Sequence, residues 1–113
     1  MGIRQWFAGV ALVGWLLVVT GPGGSAQQSR PDNEIAKLAD GVYLFRHQFH
    51  QAIFITTAEG VILTDPISSE AATWLKAELK TLTDQPVRYV VYSHHHSDHI
   101  AGGSVFADQA IFV

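Results

Sequence analysis

Apolar residues recur with two different periods along the chain, and the change of period predicts a strand–helix–strand order. Short runs of apolar and β-branched residues predict four strands, over 42–46, 52–57, 61–65 and 87–92. Between the last two, apolar residues at helical spacing predict a helix over 69–82, which Ser68 or Ser69 caps and Thr83-Asp84-Gln85-Pro86 ends. A strand, a helix and a second strand in this order predict a crossover that sets both strands parallel.

Four of the six histidines lie within residues 94–99, directly after the last of these strands, and Asp98 stands among them. Imidazole nitrogens and a carboxylate are ligands that zinc favours. Because side chains alternate along an extended chain, His94 and His96 can face a first metal, and Asp98 and His99 can face a second after a turn. Two metals need more ligands than this cluster offers, so further ligands are expected elsewhere. The alternative is a passive histidine-rich patch.

Asp65 ends the strand at 61–65, and its position suggests a role next to the histidines. The carboxyl ends of parallel strands lie at one edge of a sheet, where ligands gather, so Asp65 should lie near His94. A carboxylate behind a metal-bound histidine fixes its tautomer and raises its basicity. The alternative is that Asp65-Pro66 only forms a turn that caps the following helix.

The segment His94-x-His96-x-Asp98-His99, running into Gly102-Gly103, resembles the signature of the metallo-β-lactamase superfamily of hydrolases. The resemblance implies an α/β fold, an αββα sandwich, with one or two zinc ions or another divalent metal. It assigns His94 and His96 to the first metal, and Asp98 and His99 to the second, and gives the variable position His95 no role. Asp98 is also the expected catalytic residue, because it would help to position the attacking water.

The resemblance covers only the first part of such a domain, whose later metal ligands are expected beyond Val113. Residues 41–113 are therefore interpreted as a truncated N-terminal portion of the fold. This portion alone is expected to be inactive, whereas the full-length form is expected to be an enzyme.

The N-terminus has the layout of a secretory signal, with Arg4, an apolar run over 6–20 and small residues up to Ala26. We predict a signal peptide over 1–26 and a flexible leader over 27–40, and hence a periplasmic or secreted protein. The alternative is an uncleaved anchor, for which the apolar run is short.

Charge and composition exclude several classes of partner. The net charge is −3 and the sequence has no basic run, so we expect no nucleic-acid partner and only transient membrane contact through the signal. The absence of cysteine excludes disulfides and thiolate ligands within this sequence. The expected partner is a small-molecule substrate, and the oligomeric state stays open.

The predicted reaction is metal-assisted hydrolysis of an ester, thioester, lactam or similar bond. A metal held by His94 and His96 would lower the pKa of water toward about 7. A β-lactamase and another exported hydrolase of the superfamily both fit. The alternative from a different class is a non-catalytic exported metal-binding or accessory protein, or an inactive fragment. His47 and His50, in a predicted exposed loop, receive no role.

Overall fold

The computed structural model describes residues 30–113, so the predicted signal peptide over 1–26 lies outside the described residues. The elements are β1 Asn33–Ala39, β2 Val42–His47, β3 His50–Thr57, β4 Gly60–Thr64, α1 Ser69–Leu82, β5 Val87–Val91, α2 Ser97–Ile100, a 3-10 helix Ala101–Phe106 and β6 Ile111–Phe112. Within this part of the chain, no helix is long and apolar enough to cross a membrane.

The strands form one mixed sheet in the order β1-β2-β3-β4-β5-β6. Neighbours from β1 to β4 are antiparallel, whereas β4–β5 and β5–β6 are parallel. Helix α1 connects the parallel strands β4 and β5, which confirms the predicted crossover and the α/β fold class. The carboxyl ends of β4 and β5 consequently lie at the same edge of the sheet.

The core lies between α1 and one face of the sheet. On the helix, the buried residues are Ala71, Ala72, Leu75 and Leu79, and the Ser68 hydroxyl accepts a hydrogen bond from the Ala71 amide at 3.1 Å. On the sheet, alternation along β3 buries Phe54 and turns Ile55 to the opposite face, where it is 37% exposed. One apolar face is therefore covered by the helix, and the other is only partly buried among the described residues.

The N-terminal edge of the sheet corrects one prediction. Residues 27–40 were expected to form a flexible leader, but Asn33–Ala39 form strand β1 and pair with β2. Two side chains explain the ordering: Ile35 packs against the core, and Glu34 pairs with the buried Arg46 guanidinium at 2.8 Å. The polar composition of this segment concealed these tertiary contacts.

The β2–β3 connection is also tighter than predicted. A loop was expected over 47–51, but the strands continue to His47 and resume at His50, which leaves Gln48-Phe49 as a two-residue turn. Gln48 has a φ of 52°, in the region that such tight hairpins require. His47 is buried, and its Nδ1 lies 2.7 Å from the side-chain oxygen of Asn33. The prediction of an exposed loop at His47 was therefore wrong.

Candidate metal centre

The ends of β4 and β5 are joined by Asp65, whose side chain is buried. Its amide donates to the Val91 carbonyl at 3.1 Å. One carboxylate oxygen accepts the Ser93 amide at 2.8 Å, and the other accepts the Ser93 hydroxyl at 2.5 Å. Asp65 thus fixes the backbone at the point where the histidine segment begins.

Ser93 connects Asp65 to His94. The Ser93 hydroxyl oxygen lies 2.7 Å from Nδ1 of His94. A carboxylate only accepts hydrogen bonds, so the single hydroxyl proton of Ser93 is directed to Asp65. The hydroxyl oxygen then accepts from Nδ1–H of His94, which leaves the lone pair on Nε2 free. The tautomer of His94 is thereby set for binding a metal through Nε2.

The turn that follows places His99 against the β4–α1 loop. The amides of His99 and Ile100 donate to the His96 carbonyl at 3.0 and 3.2 Å, which begins α2. The Ile67 amide donates to the His99 carbonyl at 2.8 Å. Ile67 has a φ of 65°, an unfavourable conformation for a β-branched residue. The loop adopts this strained conformation at the point where its backbone binds that of His99.

The glycine pair after the motif allows the chain to pack closely. A Cβ on Gly102 would collide with the carbonyl oxygens of Pro66 and Ser68, and a Cβ on Gly103 would collide with the Tyr92 hydroxyl. The 3-10 helix can therefore lie against the start of α1 only because side chains are missing there. This packing fixes the position of the histidine segment relative to Asp65.

Two groups of metal-ligating side chains meet at this edge of the sheet. In one group, ligand atoms of Asp65, His94 and His99 lie within 4.8 Å of one another; in the other, those of His50, Asp98 and His99 do. His99 belongs to both. The structure therefore brings together three of the four predicted ligands, His94, Asp98 and His99, with the predicted orienting residue Asp65.

His96 is the predicted ligand that stands apart. Its ring centroid lies 4.7 Å from that of His94, but His96 belongs to neither group of ligand atoms. Its role as a ligand stays a prediction. His95, which received no role, is exposed, and its ring lies 5.0 Å from that of His96.

His50 is the residue that the sequence reasoning missed. Its Nε2 lies 3.0 Å from Oδ2 of Asp98, and its ring stands edge-on to that of His99 at 5.3 Å. The hydrogen bond from His50 holds the pKa of Asp98 below its usual value. One signal was available in the sequence: a two-residue hairpin turn would have placed His50 at a strand end instead of in a loose loop.

The donor set fits a divalent metal such as zinc. Imidazoles and carboxylates are typical zinc ligands. Nδ1 of His99 is also buried without a hydrogen-bond partner among the described residues. A buried nitrogen without a hydrogen-bond partner destabilises the fold. A bound metal or an ordered water molecule would provide that partner.

The fold and these side chains define an α/β protein with a histidine- and aspartate-rich candidate metal site at the end of parallel strands. Residues 46–113 match the family model of the Metallo-beta-lactamase superfamily. The chain belongs to this superfamily, whose members are mostly hydrolases.

One individual protein matches part of the chain in sequence. A linear primary-alkylsulfatase from Pseudomonas sp. (strain ATCC 19151) is 34% identical over 56 residues, which are 49% of this chain and 11% of that protein.

Two solved structures are also similar. A metallo-beta-lactamase from Pontibacter korlensis superimposes with a TM-score of 0.62 at 24% identity, over 71% of this chain and 43% of that one. A metallo-beta-lactamase from Hirschia baltica gives 0.62 at 18% identity, over 73% and 42%. The chain spans about a tenth of the length of the alkylsulfatase and less than half of these two structures. At these identities, the structural similarity shows the fold.

Proposed function

We propose that the protein is a metal-dependent hydrolase in which His94, Asp98 and His99 bind one or two zinc ions, while Asp65 orients His94 through Ser93. One observation carries the proposal: the two sets of ligand atoms converge on a single shared histidine at the edge where parallel strands end. This is the place where open α/β sheets bind their ligands. The Asp65–Ser93–His94 chain of hydrogen bonds supports it, because a passive histidine patch needs no such arrangement.

The side chains of the centre have separate tasks in this proposal. His94 binds through Nε2, since Ser93 holds its other nitrogen. Asp98 carries the catalytic role, because its carboxylate lies beside His50 and His99 in the centre, where it can orient an attacking water. When bound, zinc acidifies water to near neutrality and offsets the negative charge that develops on the substrate.

For the substrate, we propose an ester that has an apolar portion, with the sulfate ester of an alkyl chain as the first candidate. The similarity to an alkylsulfatase favours this class. Phe49, at the tip of the β2–β3 hairpin, is 96% exposed and directly precedes His50, which contacts the centre. An exposed aromatic ring beside a metal centre can bury an alkyl chain while the ester head reaches the metal.

The test combines metal analysis with a substrate panel. The protein in its full-length form is expected to contain one or two zinc ions per chain by elemental analysis, and to hydrolyse alkyl sulfate faster than a thioester or a cephalosporin. His99→Ala should remove most of the metal and the activity, because both groups lose a ligand. His95→Ala is the matched control and should change neither. Full zinc occupancy in the His99→Ala variant would contradict the proposal.

The substrate preference has its own variant. Phe49→Ala should raise KM for a long-chain alkyl sulfate several-fold more than for a short-chain one, since each buried methylene contributes about 0.8 kcal/mol. Zinc content should not change. If KM rose equally for both chain lengths, Phe49 would not bind the alkyl chain. If the protein hydrolysed the cephalosporin preferentially, the proposed substrate would be a lactam instead of an alkyl ester.

A further inference from the structure

The β2–β3 hairpin brings a histidine from a distant part of the sequence to the metal centre. His50 is the first residue of β3 and lies 48 positions before Asp98, yet its Nε2 is 3.0 Å from Oδ2 of that carboxylate. The His50 side chain is 33% exposed, whereas Asp98 is 56% exposed. His50 therefore covers one side of an otherwise open carboxylate.

The hairpin that carries His50 is anchored on its outer side. The buried His47, opposite His50 in the register, lies 2.7 Å from Asn33 through Nδ1. The Gln48 amide donates to the Asp32 carbonyl at 2.6 Å. These contacts to the N-terminal edge of the sheet hold the turn in place.

Arg46 adds a second anchor. Its guanidinium donates to Glu34 at 2.8 and 3.0 Å and to the carbonyls of Gln48 and Pro31, each at 3.0 Å. Arg46 is buried, so these charge-assisted contacts are only partly screened by solvent. A turn that is fixed through Arg46, His47 and Gln48 gives the adjoining His50 little freedom to move away from Asp98.

We propose that His50 is a positioning residue of the metal centre, in which its Nε2–H donates to Oδ2 of Asp98 and leaves Oδ1 to face the metal. This inference rests on the proposed function. A ligating carboxylate that is held by a hydrogen bond loses less rotamer freedom when it binds, and partners of this kind typically change metal affinity by about 10–100-fold. Asp98 needs such a partner because more than half of its side chain is exposed.

The competing arrangement is that His50 binds the metal directly, since its ligand atom also lies within 4.8 Å of those of Asp98 and His99. Two substitutions separate the two roles. His50→Ala removes both the hydrogen bond and any ligand. His50→Gln keeps an N–H donor at similar reach, but an amide is a poor zinc ligand.

The experiment is a zinc titration of the purified apoprotein against a chromophoric chelator, repeated with Co²⁺ so that the visible spectrum reports the ligand set. For the positioning role, His50→Ala should weaken the affected zinc site by about 10-fold or more. His50→Gln should restore most of this loss and leave the Co²⁺ spectrum unchanged. His95→Ala, a nearby exposed histidine outside both ligand groups, is the control and should match the wild type. Circular dichroism checks that each variant is folded.

The remaining outcomes overturn the inference in distinguishable ways. Equal losses in His50→Ala and His50→Gln, with a changed Co²⁺ spectrum, would make His50 a ligand. If His50→Ala bound zinc as tightly as the wild type, His50 would have no role in metal binding, and the proposed hydrolase function would stand. A wild-type protein that binds no zinc would overturn both proposals.

Discussion

The hydroxyl of Ser93 should control how tightly the protein binds zinc, although Ser93 is not a predicted ligand. Ser93→Ala removes one oxygen that serves two neighbours: it donates to Asp65 at 2.5 Å and accepts from His94 at 2.7 Å. Without it, either nitrogen of His94 can carry the proton, and its ring can rotate more freely. The fraction of molecules that present Nε2 to a metal then falls.

The size of the effect follows from those two contacts. A hydrogen bond to a charged group contributes about 1.5–3 kcal/mol when it is buried. Asp65 is buried but Ser93 and His94 are exposed, so the lower end applies. For zinc binding, the partners that orient a metal ligand typically change affinity by about 10–100-fold, and the lower end, about tenfold, corresponds to about 1.4 kcal/mol. Asp65 keeps its hydrogen bond from the backbone amide of residue 93, so the apoprotein should lose only about 1 kcal/mol of unfolding free energy.

Competition with a chromophoric chelator measures the zinc affinity, and urea denaturation of the apoprotein measures the stability. Ser93→Thr is the matched variant, because it keeps the hydroxyl at an exposed position and should bind zinc within about threefold of the wild type. Unchanged affinity in Ser93→Ala would refute the relay. Loss of affinity in proportion to a large loss of apoprotein stability would instead assign Ser93 a structural role.

Three further predictions concern packing, pH and processing. Gly102→Ala should lower the free energy of unfolding by about 1–3 kcal/mol or more in urea denaturation, because the new methyl meets two carbonyl oxygens, whereas Ser104→Ala on the exposed side of the same 3-10 helix should cost little. Arg46 lowers the pKa of Glu34 below the usual 4.5, so this pair stabilises the fold above that pH and loses its effect as the pH falls through the folded-state pKa. The stability of Glu34→Gln should therefore converge on that of the wild type in acid, and a constant difference from neutral to acidic pH would contradict this. We also propose that the protein is exported, so that N-terminal sequencing of the mature chain should begin near Gln27; an intact Met1 in a membrane fraction would favour an anchor.

The elements that the sequence predicted well are those whose pattern is local. Helix α1 runs over Ser69–Leu82, as expected, because one apolar stripe, a serine cap and a following proline all lie within a short window. The crossover followed from the same window, since a helix between two apolar strands leaves few topologies. Asp65 was placed near His94 by topology alone, and the structure confirms this proximity.

The features that the sequence did not predict depend on long-range contacts. Strand β1 follows a polar stretch and carries a polar residue at three of its seven positions, and it forms because Ile35 reaches the core and Glu34 pairs with Arg46. The place of Ser93 between Asp65 and His94 was also unforeseen, since the prediction concerned only the proximity of Asp65 to His94. Such hydrogen bonds depend on small differences in backbone position, which the spacing of residues in the sequence does not determine.

The length of the β2–β3 turn decides where His50 is placed relative to the centre. Considered as part of a loose loop, a histidine between two strands needs no explanation. Once the turn is reduced to Gln48-Phe49, His50 becomes the first paired residue of β3 and its direction is fixed by the pleat. The same register places the buried His47 against Asn33. A shift of the strand pairing by one residue would therefore break that hydrogen bond. The same register that stabilises the edge of the sheet therefore aims His50 at Asp98, so hairpin geometry and metal affinity should change together when the turn is lengthened.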